Sequence, residues 1–195
     1  MLELIIIILA FVLIYTYFLS DYKSDGIILE ESFIDGAKYW VRNLEDKSSA
    51  ANTLANIKIN METLINYLKN NMDKYKDSEN STYIKNLIER TKEINIMETP
   101  GDEKYTSYTV NKGEKIYFCL RSKVLNEIHD MNTLLYVVIH EMAHIACPEY
   151  GHTPLFYSIF KFLLKVSIEI GIYRDVDYRF RPQEYCGMTI NEYIL

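Results

Sequence analysis

The stretch from Asn132 to Cys147 (Asn-Thr-Leu-Leu-Tyr-Val-Val-Ile-His-Glu-Met-Ala-His-Ile-Ala-Cys) constrains this chain more than any other. After Thr133 nearly every residue is apolar, and the run is too long for an ordinary strand, so it reads as a helix buried on most sides. The ionisable exceptions are His140, Glu141 and His144. Polar groups carried into an interior need partners, because leaving them unpaired is costly. Their spacing, His-Glu-x-x-His, supplies one. Positions four apart lie one above the other on a helix face, so both imidazoles can reach a single cation. Glu141 lies near the same face, where it can act as general base on a metal-activated water. Asn132 or Thr133 is expected to cap the helix, and Pro148 to close it.

A catalytic zinc site generally takes three protein ligands and keeps one position open. His152 is the expected third ligand. It follows Gly151, which lets the chain reverse. Thr153-Pro154 then reads as an N-cap and N1 pair opening a new helix, with Leu155, Phe156, Ile159, Phe160 and Leu163 on its apolar side. Glu169, further along that helix, is the main rival; Glu149 and Cys147 are weaker ones. His129 lies in a polar stretch and reads as a surface residue.

The remaining chain divides at Thr99-Pro100-Gly101-Asp102, its clearest breaker sequence. Residues 1–20 are expected to form a transmembrane anchor. Leu4 to Ser20 carries no charge and as a helix would span roughly 25 Å, close to a hydrocarbon core of about 30 Å. The basic residues that follow favour a cytoplasmic C-terminal part. Residues 21–98 read as a helical juxtamembrane region, with a short helix within 21–47. A long helix follows from about Ser48, where Leu54, Ile57, Met61, Leu64, Leu68 and Met72 recur at helical spacing. After a polar break at Asp77–Ser81, Ile84, Leu87, Ile88 and Thr91 mark another helix. Residues 99–195 carry the metal motif. Within them, 105–121 reads as a hairpin turning at Asn111-Lys112-Gly113. Its second strand, with Tyr117 and Cys119, is the expected edge for pairing with an extended peptide.

Composition excludes some classes. The formal net charge is -6 over 195 residues, with no long basic block, so no nucleic-acid partner is expected. Three cysteines (Cys119, Cys147, Cys186) are too few, and odd in number, for a disulfide framework. The simpler reading is a reduced compartment, the alternative one bridge plus a free thiol.

His140-Glu-Met-Ala-His144, then Gly151-His152 and Phe156 before an apolar helix, resembles the SprT-like and WLM zinc metallopeptidases. Ser107-Tyr-Thr, Lys112-Gly113 and Ile116 to Arg121 resemble the strands that precede the motif there. The likeness covers roughly residues 103–190, and similar proteins occur in large DNA viruses. It implies an α+β fold, a mainly helical small zincin-like domain with a short hairpin or sheet. It also implies one zinc ion held by His140, His144 and His152, with a protein or peptide as substrate. Glu141 would be the general base. The tetrahedral oxyanion of such a reaction needs a further donor, for which Tyr185 and Tyr150 are the candidates. The whole reading is a membrane-anchored zinc peptidase. Its alternative is a non-catalytic structural membrane protein of a virion that retains the fold. Oligomeric state is not legible.

Overall fold

The computed structural model describes residues 26–101 and 106–195. It opens with an antiparallel hairpin, β1 (Ile27–Glu31) and β2 (Lys38–Arg42), in the register Leu29↔Trp40. The short helix expected in 21–47 is therefore corrected to strands. Along β2 the side chains alternate, Tyr39 and Val41 buried and Lys38 and Trp40 exposed, which is the period of a strand with one face on a core. The tip is tied by Asp35, which accepts from the Ala37 N–H and the Tyr39 hydroxyl.

Helix α1 (Lys47–Asn70) buries the predicted stripe Leu54, Ile57, Met61, Leu64 and Leu68. That face packs on β2 and on the helices and strand that follow, so the stripe is core. The short α2 (Met72–Tyr75) and α3 (Asn80–Arg90) come next. A three-stranded sheet of order β3-β5-β4 follows, in which β3 (Ile96–Glu98) runs parallel to β5 (Lys115–Phe118) and β4 (Tyr108–Val110) runs antiparallel to it. The β4–β5 turn falls where the sequence places it. Asn111, Lys112 and Gly113 all have positive φ, and a Cβ on Gly113 would lie 2.9 Å from the Arg90 carbonyl oxygen. Because β5 is the central strand, the peptide-pairing role expected for Tyr117 and Cys119 is corrected. The outer strands on either side of β5 are β3 and β4.

Helix α4 (Met131–Ala146) carries the metal motif and is buried along most of its length. Its cap is Asp130, two residues before the nearer of the expected caps, and its carboxylate accepts from the Asn132 and Thr133 N–H groups. Helix α5 (Pro154–Glu169) starts as predicted, with the Thr153 hydroxyl accepting from the Phe156 N–H and Pro154 in the first turn. The chain closes with the hairpin of β6 (Gln183–Tyr185) and β7 (Met188–Ile190). One hydrophobic cluster runs from Tyr39 to Cys186 and takes in α1, α3, α4, α5 and both flanks of residue 99. Within it Arg121, 2% exposed, is clasped between Glu98 and Asp46, and Glu98 also accepts from the Arg42 N–H.

Two further expectations change. Among the described residues no helix is long and apolar enough to cross a membrane. Over the described residues the fold class is accordingly α+β with no membrane-spanning helix, and the single-pass localisation expected from such a helix is corrected to that extent. Leu4–Ser20, where the span was expected, lies outside the described residues. The cysteines follow the alternative reading: Cys119 and Cys186 form a disulfide, and Cys147 is free and buried.

Candidate metal centre

His140 and His144 project from α4, and His152 meets them from the loop before α5. Gly151 adopts φ +79°, the left-handed conformation that glycine takes without a Cβ penalty, and so turns the chain back on the helix. The three Nε2 atoms form a near-equilateral triangle with edges of 3.0, 3.1 and 3.2 Å. Hydrogen bonding cannot satisfy all three edges. Each neutral imidazole nitrogen is either one donor or one acceptor, so at least one contact pairs like with like. A shared cation resolves the conflict, since two nitrogens on one tetrahedral ion at 2.0–2.1 Å lie roughly 3.3 Å apart. The three histidines are close enough to bind one metal ion.

The electrostatics agree. Burial, followed by the proximity of the other two rings, lowers His140 to about 3. Burial, His152 and the Lys112 ammonium lower His144 to about 4. Both are neutral near pH 7, which leaves lone pairs for a cation. Phe156, fully buried, packs its ring on His144 at 4.2 Å between centroids and on His140 and His152 at 4.9 Å each. It is a floor that fixes all three ring orientations.

The end of α4 is fastened by residues distant in sequence. Lys112 Nζ donates to the carbonyls of Cys147 at 2.8 Å, Glu149 at 2.6 Å and His144 at 3.3 Å. Arg90 donates to the Ile145 carbonyl at 2.6 Å and Asn86 to that of Ala146 at 3.1 Å. Cations and donors here satisfy carbonyls that the helix leaves without partners and oppose its negative end. Sequence reasoning assigned Lys112 to a turn and gave Arg90 and Asn86 no role. Their signal is the C-terminal end of an apolar helix whose last turn supplies no cation of its own.

Glu141 is 5% exposed, and burial alone raises its carboxyl to about 8. It lines a cleft of about 600 Å³ together with the three histidines, β4 from the Thr106 side, Tyr136 and Val137 of α4, and Met188 to Ile190 of β7. Tyr185 lines the same cleft. Its hydroxyl lies 2.5 Å from Ser107 Oγ, which accepts from the Cys119 N–H, and burial pushes that phenol above its usual range. Tyr150, the other expected donor, stands 84% exposed at the rim with Lys112 Nζ 4.3 Å from its ring centre.

Glu169 does not join the triad. It sits exposed at the far end of α5, where Lys74 and Tyr67 each donate to it at 2.8 Å. Cys147 is buried at the C-terminal end of α4. His129, expected at the surface, is half-buried and accepts from the Cys186 N–H at 3.2 Å, with its ring 5.1 Å from that of Tyr185.

No family model matches the chain, and no solved structure matches it. Viral proteins do. Two align with shorter stretches: uncharacterized protein 136R of Invertebrate iridescent virus 6, 38% identical over 85 residues (43% of this chain, 44% of that protein), and uncharacterized protein 042R of Invertebrate iridescent virus 3, 42% identical over 71 residues (36% and 44%). A third, uncharacterized protein R325 of Acanthamoeba polyphaga mimivirus, is 42% identical over 179 residues, which cover 92% of this chain and 90% of that one. The chain belongs to the same family as this mimivirus protein.

Proposed function

We propose that the protein is a zinc-dependent peptidase. The observation that carries the reading is the triangle of His140, His144 and His152 nitrogens beside the buried carboxyl of Glu141, all on one cleft. Three neutral imidazoles suit zinc among the available divalent ions, and three protein ligands leave a position open. Bound zinc supplies a Lewis acid for a carbonyl and lowers the pKa of a water towards about 7.

The chain's own residues do the rest. Glu141 takes a proton from the attacking water and delivers it to the leaving amine. Its burial matches this task, because a carboxyl raised towards neutrality can both accept and return a proton near pH 7. The Tyr185 hydroxyl, held by Ser107, donates to the oxyanion as the carbonyl becomes tetrahedral. An extended peptide lies along β4, which of the two outer strands of the sheet is the one that walls the cleft. Backbone pairing of that kind is insensitive to sequence, which suits a polypeptide substrate.

The test is cleavage of a denatured protein or a peptide library by the zinc-loaded full-length chain, read by mass spectrometry, with Glu141→Gln in parallel. Cleavage by the wild type that falls at least 100-fold in the variant supports the reading. A zinc-loaded wild type that cuts nothing refutes it.

A further inference from the structure

The Cys119–Cys186 disulfide lies outside the metal centre yet controls one wall of the cleft. Cys186 occupies the two-residue turn of the β6–β7 hairpin. It and Gly187 both have positive φ, +52° and +82°, as a type I′ turn requires. That first position favours asparagine, aspartate or glycine, and a cysteine there meets the left-handed steric penalty without the local hydrogen bond an Asn side chain would make. The residue type is explained by its sulfur. The bridge joins this turn to the residue that follows β5, across 67 positions of sequence.

The hairpin it holds is the cleft wall. Tyr185 precedes Cys186, and Met188 to Ile190 follow it into the lining. The other ties of the hairpin are Tyr185 to Ser107, the Cys186 N–H to His129, and the Glu184 carboxylate, which accepts from the Gly187 N–H and is hydrogen-bonded to Ser122. Ser107 in turn is held by the N–H of Cys119, the other bridged residue. Both ends of the disulfide therefore converge on the Tyr185 hydroxyl.

The surroundings of the sulfurs are unequal. Cys186 is 2% exposed, with its Sγ 3.6 Å from His129 Nε2. Cys119 is half-buried and lines a second cavity of about 280 Å³ with Arg42, Thr99 and Asn126. Burial first of all lowers His129 below its ordinary value, and a backbone hydrogen bond engages it with Arg121, so its Nε2 is an acceptor. A thiol freed at Cys186 would find a base in contact.

We propose that Cys119–Cys186 is a thiol–disulfide exchange site for a dithiol, and that the disulfide form is the one in which the Tyr185 wall is assembled. One thiolate of the dithiol attacks Cys119 Sγ, forming a mixed disulfide and breaking the Cys119–Cys186 bond. Cys186 leaves as a thiolate and takes up from solvent a proton equivalent to the one the attacking thiol gave up on ionising. The second thiol of the dithiol attacks the mixed disulfide and releases Cys119. The dithiol ends as a cyclic disulfide, having given two electrons and two protons to the two cysteines. Exchange depends on access to the attacked sulfur, which half-buried Cys119 provides and Cys186 does not. The effect on turnover rests on the peptidase reading; the effect on the hairpin does not.

The experiment compares full-length zinc-loaded protein before and after dithiothreitol, with the reductant removed under nitrogen, alongside a Cys119→Ser/Cys186→Ser double variant. Alkylation and mass spectrometry follow the thiols, with buried Cys147 as internal reference. Hydrogen exchange follows residues 183–190, and metal content and peptide cleavage are read on the same samples. The expected result is a pair that is oxidised in air and reduced before Cys147 becomes alkylated. Exchange at 183–190 then rises at least 10-fold with metal retained, and cleavage falls at least 10-fold; both recover on reoxidation except in the double variant. Unchanged exchange at 183–190 after reduction, or unchanged cleavage despite faster exchange, overturns the proposal. Faster exchange in a protein that cleaves nothing in either state supports the clamp and counts against the peptidase reading.

Discussion

Replacing Glu141 with glutamine separates what this residue does for the fold from what it does in the proposed reaction. In the folded, metal-free chain burial raises the carboxyl from 4.5 to about 8. At pH 7 the folded state therefore keeps a proton that the unfolded state has lost. A group whose folded pKa is raised contributes stability fully below its unfolded value and loses it as pH rises through the folded one. Between 4.5 and 7 that loss, at 1.36 kcal/mol per unit, amounts to about 3 kcal/mol. Glutamine keeps the size of the side chain and carries no such linkage. Metal-free Glu141→Gln should thus exceed the wild type in unfolding free energy by roughly 1–3 kcal/mol at pH 7, and match it near pH 4. The assay is urea denaturation in chelator at pH 4, 5.5, 7 and 8. The zinc-loaded variant should meanwhile lose activity by about 10²- to 10⁴-fold, the usual contribution of a general base. A stabilised but inactive variant is the signature of a residue kept for function at the fold's expense. Equal stability at every pH would refute the argument, as would a variant weaker than the wild type at pH 7.

Further outcomes follow from the same structure. Metal-free wild type should be most stable between pH 6 and 7 in chelator-treated unfolding titrations. Depressed His140 and His144 lose their contribution as pH falls below 6.5, while raised Glu141 loses its own as pH climbs towards 8. Arg121→Met leaves Glu98 buried without its partner and should cost about 3–5 kcal/mol by urea denaturation, most of it recovered by adding Glu98→Gln. Phe156→Ala removes the floor beneath the three rings. It should cost about 3–5 kcal/mol in stability and weaken zinc binding by calorimetry, with Phe156→Leu much milder in both.

The parts of this fold that were legible in sequence are those written in local patterns. The α4 motif, the Thr153-Pro154 start of α5, the α1 stripe and the Asn111-Lys112-Gly113 turn each rest on residues within a turn or two of one another. Features that depend on distant pairings were hidden. The order of the β3-β5-β4 sheet puts β5 in the centre and β3 and β4 on the edges, and nothing in Lys115–Phe118 says that it has neighbours on both sides. Cys119 and Cys186 are 67 residues apart and carry no spacing signal. Lys112 reads as a turn lysine until the end of α4 is set against it. Glu169 was a reasonable rival by sequence distance, and was removed only when Lys74 and Tyr67 took its carboxylate. The β1–β2 hairpin was missed because charge and aromatic residues masked a two-residue alternation only five residues long.

Metal content tests the central claim most directly. Full-length protein, purified from zinc-replete medium, would be analysed by inductively coupled plasma mass spectrometry as wild type and as His140→Ala, His152→Ala, Glu169→Ala and Glu141→Gln. The account predicts close to one zinc per chain in the wild type, Glu169→Ala and Glu141→Gln, and little in the two histidine variants. A wild type without zinc, or a His152→Ala variant that keeps it while Glu169→Ala does not, would contradict the account.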